Sequence, residues 1–162
     1  MSTLNSPTGA IAVGIQSYSS GGDLTALSFT NATAWTPNLQ INGSSTGITY
    51  GTQVGAWARI GNIVWISANI VLTSKGASNG NVTISNLPVT TGAAGANNTL
   101  AIADFSAITL TADFEVISLR LGNASAVGTL FESGSAGSAA NVTDAMLANT
   151  SAFRFSGVYF LN

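Results

Sequence analysis

Residues 49–72 read TYGTQVGAWARIGNIVWISANIVL, and this stretch decides the class of fold. Val, Ile, Thr and aromatic residues, which favour strands, are frequent on both sides of the dipeptide Gly61-Asn62. Gly-Asn is a tight-turn signal, so we predict two long strands, Thr49–Arg59 and Ile63–Leu72, joined as a hairpin. β-branched residues and glycine oppose a helix over the same residues.

The same pattern continues along the rest of the chain. Short segments rich in Val, Ile, Thr and aromatic residues alternate with Gly, Asn and Ser, a spacing typical of an antiparallel sandwich or barrel. One helical turn is predicted at Val142–Leu147. We therefore expect an all-β protein in which 1–30 form an N-terminal arm or edge segment and 31–162 form a β-sandwich domain. The further predicted strands are Ile11–Ser17, Leu24–Thr30, Trp35–Ile41, Asn81–Asn86, Thr99–Ala103, Ala107–Leu110, Phe114–Leu121, Gly128–Glu132 and Phe153–Leu161.

The composition excludes most familiar chemistry. The chain has no His and no Cys, so it cannot form a Ser-His or Cys-His nucleophile pair, an imidazole or thiolate metal site, or a disulfide. Four Lys and Arg and a net charge of -2 are too few cations for the phosphate contacts of a nucleic-acid binder. No apolar run reaches the roughly 18 residues of a spanning helix. We expect no catalytic residue, metal, cofactor, nucleic acid or membrane partner.

Two motifs have a formal link to catalysis. Gly43–Gly47 (GSSTG) fits the nucleophile elbow, but that motif needs a His base, so we interpret it as a Ser/Gly turn. Asp113 and Glu115 lie two residues apart on a predicted strand and would project from one face. Such a pair could hold a cation or supply two carboxylates, although a solvated strand face is the more common role.

Aromatic residues of the hairpin are the candidate contacts for a glycan. Tyr50, Trp57, Arg59 and Trp65 are the residues in question, because aromatic side chains on a β surface are the usual platform for sugar rings. Trp57 and Arg59 share one face of their predicted strand, and Trp65 lies across the Gly61-Asn62 turn. The competing interpretation places these side chains in the core or a subunit interface, since an indole buries a large area.

An ordered series of motifs covers somewhat under half of the chain. It comprises WTPNLQI from Trp35, GSSTGITY from Gly43, GAWARIGNIV from Gly55, LTSKG from Leu72, GNVTISNLP from Gly80 and the C-terminal FSGVYFL from Phe155. This series resembles the recurrent β-module of tailed-phage virion proteins, which occurs in the distal domains of tail fibres and tailspikes and in small head-decoration or head-fibre proteins. Trp57-Ala58 departs from the pattern, in which an aromatic residue is usually followed by Thr.

The resemblance implies a jelly-roll-like antiparallel sandwich that assembles as a homotrimer. Abundant Ala, Val and Ile with few charges agree with such assembly, because one small domain cannot hide that much apolar surface. We expect a virion structural protein without enzymatic activity, on the outer surface of the head or on the tail. Its partners would be copies of itself and the major capsid protein or another virion protein.

The favoured role is a trimeric capsid decoration, or cement, protein that binds and stabilises the head shell. The size of the chain and the short segment before Trp35 fit this role better than that of a complete tail fibre. Ser2–Asp23, with its apolar stretch Ile11–Ile15, is then the arm that docks on the shell. The alternative is a tail-fibre or receptor-binding tip domain that recognises a host surface glycan through the aromatic candidates. A cellular carbohydrate-binding module shares the composition but not the motif series.

Overall fold

The computed structural model describes residues 29–92, 98–135 and 137–161. The predicted arm Ser2–Asp23, the strand predicted at Ile11–Ser17 and most of Leu24–Thr30 lie outside the described residues. No helix in the described ranges is long and apolar enough to cross a membrane. The strands in the described ranges are β1 Phe29–Trp35, β2 Asn38–Ile41, β3 Ile48–Ile60, β4 Ile63–Lys75, β5 Val82–Ser85, β6 Thr99–Ile108, β7 Val116–Leu121, β8 Gly128–Ser133, β9 Ala140–Asn141 and β10 Leu147–Phe160, and a 3-10 turn lies at Asp144–Met146.

All ten strands belong to one sheet. Their order is β1-β3-β4-β10-β6-β7-β8-β5-β2, and β9 pairs with β8. Every strand pair is antiparallel. The prediction of an all-β antiparallel fold is therefore confirmed.

The sheet is curled, and the chain itself requires the curl. β1 and β2 lie at opposite edges of the sheet, yet only Thr36 and Pro37 separate them in sequence. Two linking residues bridge about 11 Å at most, whereas the edges of nine strands laid flat would stand about 38 Å apart. The two edges must therefore approach each other, and the sheet curls into a half-barrel.

Hydrogen bonds from side chains hold the two edges together. Gln53 on β3 donates its Nε2 to the Pro37 carbonyl at 2.9 Å, and Asn86 donates its Nδ2 to the Thr36 carbonyl at 2.8 Å. Pro37 has no N–H for a ladder, which explains why the strand predicted at Trp35–Ile41 divides into β1 and β2.

The core lies on the concave face of the curled sheet. β4 shows the alternation most clearly, because every second residue from Val64 to Leu72 is buried. β10 packs beside it through Phe153, Phe155 and Tyr159. These strands therefore present one apolar face to the interior and a second face to solvent. The rest of the core comprises Trp35, Leu39, Ile41, Ile48, Val82, Ile84, Leu87, Leu100, Ile102, Ile117, Leu119, Leu121, Leu130, Val142 and Leu147.

The predicted hairpin is confirmed. β3 and β4 are each 13 residues long and pair from Ile60↔Ile63 to Ile48↔Lys75, with irregularities around Tyr50. Gly61 has φ 56°, a conformation that a tight two-residue loop requires and that glycine adopts without strain.

Other strand bounds differ from the prediction for identifiable reasons. The segments predicted at Thr99–Ala103 and Ala107–Leu110 form a single strand, β6. The polar Asp104 does not interrupt it, because this residue faces solvent and forms an ion pair with Arg154 of β10. β10 begins six residues before the predicted Phe153, since it continues past β4 along β6.

Candidate functional site

The four candidate glycan contacts divide between the two faces of the sheet. Trp57 is paired with Ile66 and packs against the core on the concave face. Arg59 is paired with Val64 on that same side, and its Nε donates to the Gly61 carbonyl at 2.6 Å. Trp65 points to the opposite, convex face, where 40% of its surface is exposed. The hairpin turn therefore does not bring Trp57 and Trp65 together. Trp57 shares a face with its partner Ile66, and Trp65, the residue before Ile66, points to the opposite face.

Tyr50 also packs against the core rather than standing free on the surface. Its hydroxyl lies 3.1 Å from the Asn38 Oδ1 and accepts the Leu39 N–H at the same distance. Burial raises the pKa of this phenol above its ordinary value. Among the four candidates, Trp65 thus has the most surface-like setting, and glycan contact by any of them stays a prediction.

Trp65 stands at the centre of an exposed apolar surface on β3, β4 and β10. We define the apolar face as Ile60, Ile63, Trp65, Val158 and Phe160, whose side chains are 40–49% exposed. Register builds this surface in two rows. Ile63 is paired with both Ile60 and Phe160, and Trp65 is paired with Val158. Cross-strand partners stand roughly 5 Å apart on one face, so these side chains form one continuous surface.

The apolar face has a polar boundary along the same strands. Beyond Trp65, the convex side of β4 continues through Ser67 to Asn69, whose partner on β10 is Arg154. Arg154 forms an exposed ion pair with Asp104. The convex surface is therefore most strongly apolar near the Gly61-Asn62 turn, whereas further along it combines the Arg154–Asp104 ion pair with Val54, which is 56% exposed and paired with Asn69. Between the two lies a shallow depression of about 400 Å³ lined by Val54, Gly55, Ala56, Ser67, Ala68 and Asn69.

Sequence reasoning selected Trp65 but missed the other members of the apolar face. A signal was nevertheless present. Ile63–Ile66 and Val158–Leu161 are apolar without alternation, a pattern typical of strands covered on both sides. The structure covers only one side of each, and the uncovered side is the apolar face.

Three of the described acidic residues lie near the start of β7, because Glu132 binds Thr111 and the Glu115 N–H donates to the Ser133 carbonyl. Asp113 and Glu115 lie in the turn before β7, not on the predicted strand, and Asp113 has φ 72°. Glu132 is buried and accepts the Thr111 N–H at 2.9 Å. The described ranges contain no group of three or more acidic side chains that could hold a metal ion.

The carboxyl of Asp144 has a perturbed pKa. The Gly80 N–H donates to its Oδ1 at 2.8 Å, and the Lys75 ammonium lies 3.5 Å from its Oδ2. The hydrogen bond from Gly80, followed by the charge of Lys75, lowers the pKa of this carboxyl below its ordinary value. Both contacts fix the loop after β4, so this carboxylate has a structural role.

A solved phage structure has the same fold. The crystal structure of the Dettilon tailspike protein (gp208) matches 81% of this chain with a TM-score of 0.62 and 22% sequence identity. The chain spans 24% of the length of that protein. At this level of identity the likeness shows the fold. Neither a protein-family profile nor a curated protein sequence matches the chain.

Proposed function

We propose that this chain is a structural β-domain of a tailed-phage virion and that it belongs to the tail. The observation that carries the proposal is the fold shared with part of a tailspike over 81% of the chain. The motif series between Trp35 and Pro88 and the C-terminal Phe155–Leu161 support it from sequence. The jelly-roll-like arrangement expected from the resemblance is part of this proposal. Fold alone does not specify a role, so the proposal also needs a surface that performs it.

The apolar face supplies that surface, and the partner we propose is a second copy of this chain. Five large side chains at 40–49% exposure leave on the order of 400 Å² of apolar area in one patch. A standard interface buries about 800 Å² on each partner. The apolar face with its rim of Ala56, Ala58 and Ser156 fits the central part of such an interface. Assembly as a homotrimer is the form of self-association we propose.

We propose no enzymatic activity for the chain. Three of the carboxylates described above serve the fold, since Glu132 binds Thr111, Asp144 binds Gly80 and Lys75, and Asp104 pairs with Arg154. A glycosidase would need two carboxyl groups about 5–9.5 Å apart across a sugar-binding cleft. The role proposed for this domain is therefore assembly.

Capsid decoration is the second candidate function. Phe29 at the start of β1 pairs with Ile60, so the described part of the chain begins beside the apolar face. An apolar surface at this end of the sheet, together with the expected arm, would suit docking on a head shell. The partner would then be the major capsid protein.

Immunogold electron microscopy of virions that contain the protein tests the location. An antibody raised against the full chain is expected to label the tail. Labelling of the head alone would replace the tail proposal with the decoration role. Absence of the protein from purified virions, checked by mass spectrometry, would contradict both.

Analytical ultracentrifugation of the full chain tests self-association. We expect a trimer, and the double variant I63T/W65S is expected to sediment as a monomer with an unchanged circular dichroism spectrum. V116S is the matched control, because Val116 is 54% exposed but lies on β7 outside the apolar face. A monomeric wild-type chain, or a double variant that associates as the wild type does, would contradict the proposed interface.

A further inference from the structure

We infer that a groove on the convex surface of β6, β7 and β8 binds the carboxylate of an acidic saccharide. The groove has a volume of about 510 Å³, which lies in the range of small-molecule sites. It is separate from the four glycan candidates of the hairpin. We call it the Arg120 groove, and its lining consists of Asn98, Thr99, Ser118, Arg120, Leu121 and Ser133.

Arg120 is held in place by an aromatic ring. Its direct partner on β8 is Thr129, and Phe131 lies two residues further along the same face. The Arg120 Cζ stands 4.0 Å from the centre of the Phe131 ring. Stacking restricts the guanidinium while leaving the N–H groups in its plane free to donate. The side chain is thus oriented before any ligand arrives.

The positive charge of Arg120 has no acidic partner among the described residues. Lys75 pairs with Asp144 and Arg154 pairs with Asp104, but no described carboxylate forms an ion pair with Arg120. A guanidinium matches the two oxygens of a carboxylate through two parallel hydrogen bonds. An anionic group is therefore the partner that this site lacks.

The surroundings of Arg120 favour a sugar over a bare anion. Ser118 is paired with Phe131 and Ser133 with Val116, so two hydroxyls line the same face as the stacked arginine. Within the described residues, no hydrogen bond joins either hydroxyl to a protein group. Val116, the cross-strand partner of Ser133, lies outside the lining of the groove and adds an apolar surface next to it that is 54% exposed. Hydroxyls beside an apolar wall complement the hydroxyls and C–H faces of a pyranose ring.

Asn98 closes one end of the Arg120 groove. Its Oδ1 accepts the Phe160 N–H at 3.1 Å and its Nδ2 donates to the Phe160 carbonyl at 3.4 Å. The groove therefore borders the apolar face without including it. Ligand binding and self-association are separate properties, and the inference stands whichever virion location applies.

Isothermal titration calorimetry of the full chain tests the inference with defined probes. The ligands are an oligogalacturonate and an oligosialate, compared with a maltooligosaccharide of equal length and with inorganic phosphate. We expect at least one carboxylated oligosaccharide to bind about tenfold or more tightly than the neutral sugar and than phosphate. R120Q and R120K are both expected to weaken that binding about tenfold or more, since lysine keeps the charge but lacks the planar fork. R154Q is the matched control and is expected to stay within about twofold of the wild type.

Three outcomes would overturn the inference. The first is no binding of either carboxylated oligosaccharide. The second is equal affinity in R120Q, R120K and the wild type. The third is binding of phosphate in preference to both acidic sugars, which would leave an anion site without saccharide recognition. Thermal melting identifies a variant that does not fold. If R120Q does not fold, the affinity of R120K decides the test.

Discussion

The hydroxyl of Tyr50 on β3 accepts a hydrogen bond from the Leu39 N–H on β2 at 3.1 Å. The Leu39 carbonyl lies 3.3 Å from the same oxygen, and β5 occupies the other side of β2. Tyr50 therefore satisfies the Leu39 N–H on the free edge of β2, and its single hydroxyl proton is shared between the Asn38 Oδ1 and the Leu39 carbonyl. This hydroxyl thus provides the hydrogen bond to the edge backbone that a neighbouring strand provides elsewhere in the sheet.

Replacing Tyr50 with Phe is expected to destabilise the fold. The ring still packs against the core, but the Leu39 N–H loses its acceptor at a part-buried position, and the Asn38 Oδ1 and Leu39 carbonyl lose the phenol proton. We expect a loss of about 1–3 kcal/mol in the free energy of unfolding, measured by urea denaturation. T49A serves as the control. Thr49 lies next to Tyr50 on β3, and its replacement removes an exposed hydroxyl contact with Thr73 of β4. Equal stability of Y50F and the wild type would show that the edge does not depend on this bond.

Replacing Gly55 with Ala is expected to be costly. A Cβ at this position would overlap the Trp35 indole at its Nε1, and that indole is buried and donates to the Ser67 carbonyl at 3.0 Å. Overpacking of this kind costs about 1–3 kcal/mol, which a thermal melt will show as a lower Tm. G51A is the matched control on β3, since the nearest atom to its Cβ is the Thr73 Cγ2 at 3.4 Å. The prediction is contradicted if both variants melt together with the wild type.

Alkaline pH is expected to weaken the fold through Tyr159. Burial raises the pKa of this phenol from 10.0 to about 12, and its hydroxyl donates to the Val89 carbonyl at 2.7 Å. Between those values the unfolded chain releases the proton while the folded chain retains it, so stability falls as the pH rises. The full shift corresponds to about 2–3 kcal/mol. Urea denaturation across this range should show a steeper fall for the wild type than for Y159F, and parallel curves would contradict the assignment.

Acid is expected to loosen the junction between the loop after β4 and the 3-10 turn. The pKa of Asp144 is lowered from 3.8, so its contribution to stability is present above that value and is lost as the pH falls through the folded pKa. D144N should be less stable at neutral pH and should show a flatter acid response in denaturation curves. D104N is the control, because the Arg154–Asp104 pair is about half exposed and such pairs contribute little. A steeper acid response in D144N would reverse the assignment.

Local features of this fold could be predicted from sequence, and distant pairings could not. The β3–β4 hairpin follows from Gly61-Asn62 and its flanking residues, all of which lie within one short stretch. No sequence pattern places β10 between β4 and β6, because Val158 and Trp65 are 93 positions apart. Strand propensity is similar for all of these segments, so it does not choose their neighbours.

The candidate surfaces show the same limit. Trp65 could be selected from the sequence because it is aromatic. Whether its side chain is exposed depends on which face of β4 packs against the core. Ile63 and Val64 are similar in sequence, yet one is 44% exposed and the other is fully buried. No sequence pattern marked Arg120 as a candidate ligand contact. Its interest depends on two features of the fold, namely its stacking on Phe131 and the absence of a described acidic partner.

The central position of β10 also determines when the protein can fold. The strand from Leu147 to Phe160 supplies the pairing edge for both β4 and β6, so a growing chain that lacks it carries two open edges. Those edges are 13 and 10 residues long and can pair with any neighbouring strand, including one on another nascent chain. At about 5–20 residues per second, a ribosome needs several seconds to reach β10 after completing β4. This sheet can therefore complete its pairing only after β10 has been synthesised, and until then the open edges of β4 and β6 are exposed to strands of other nascent chains.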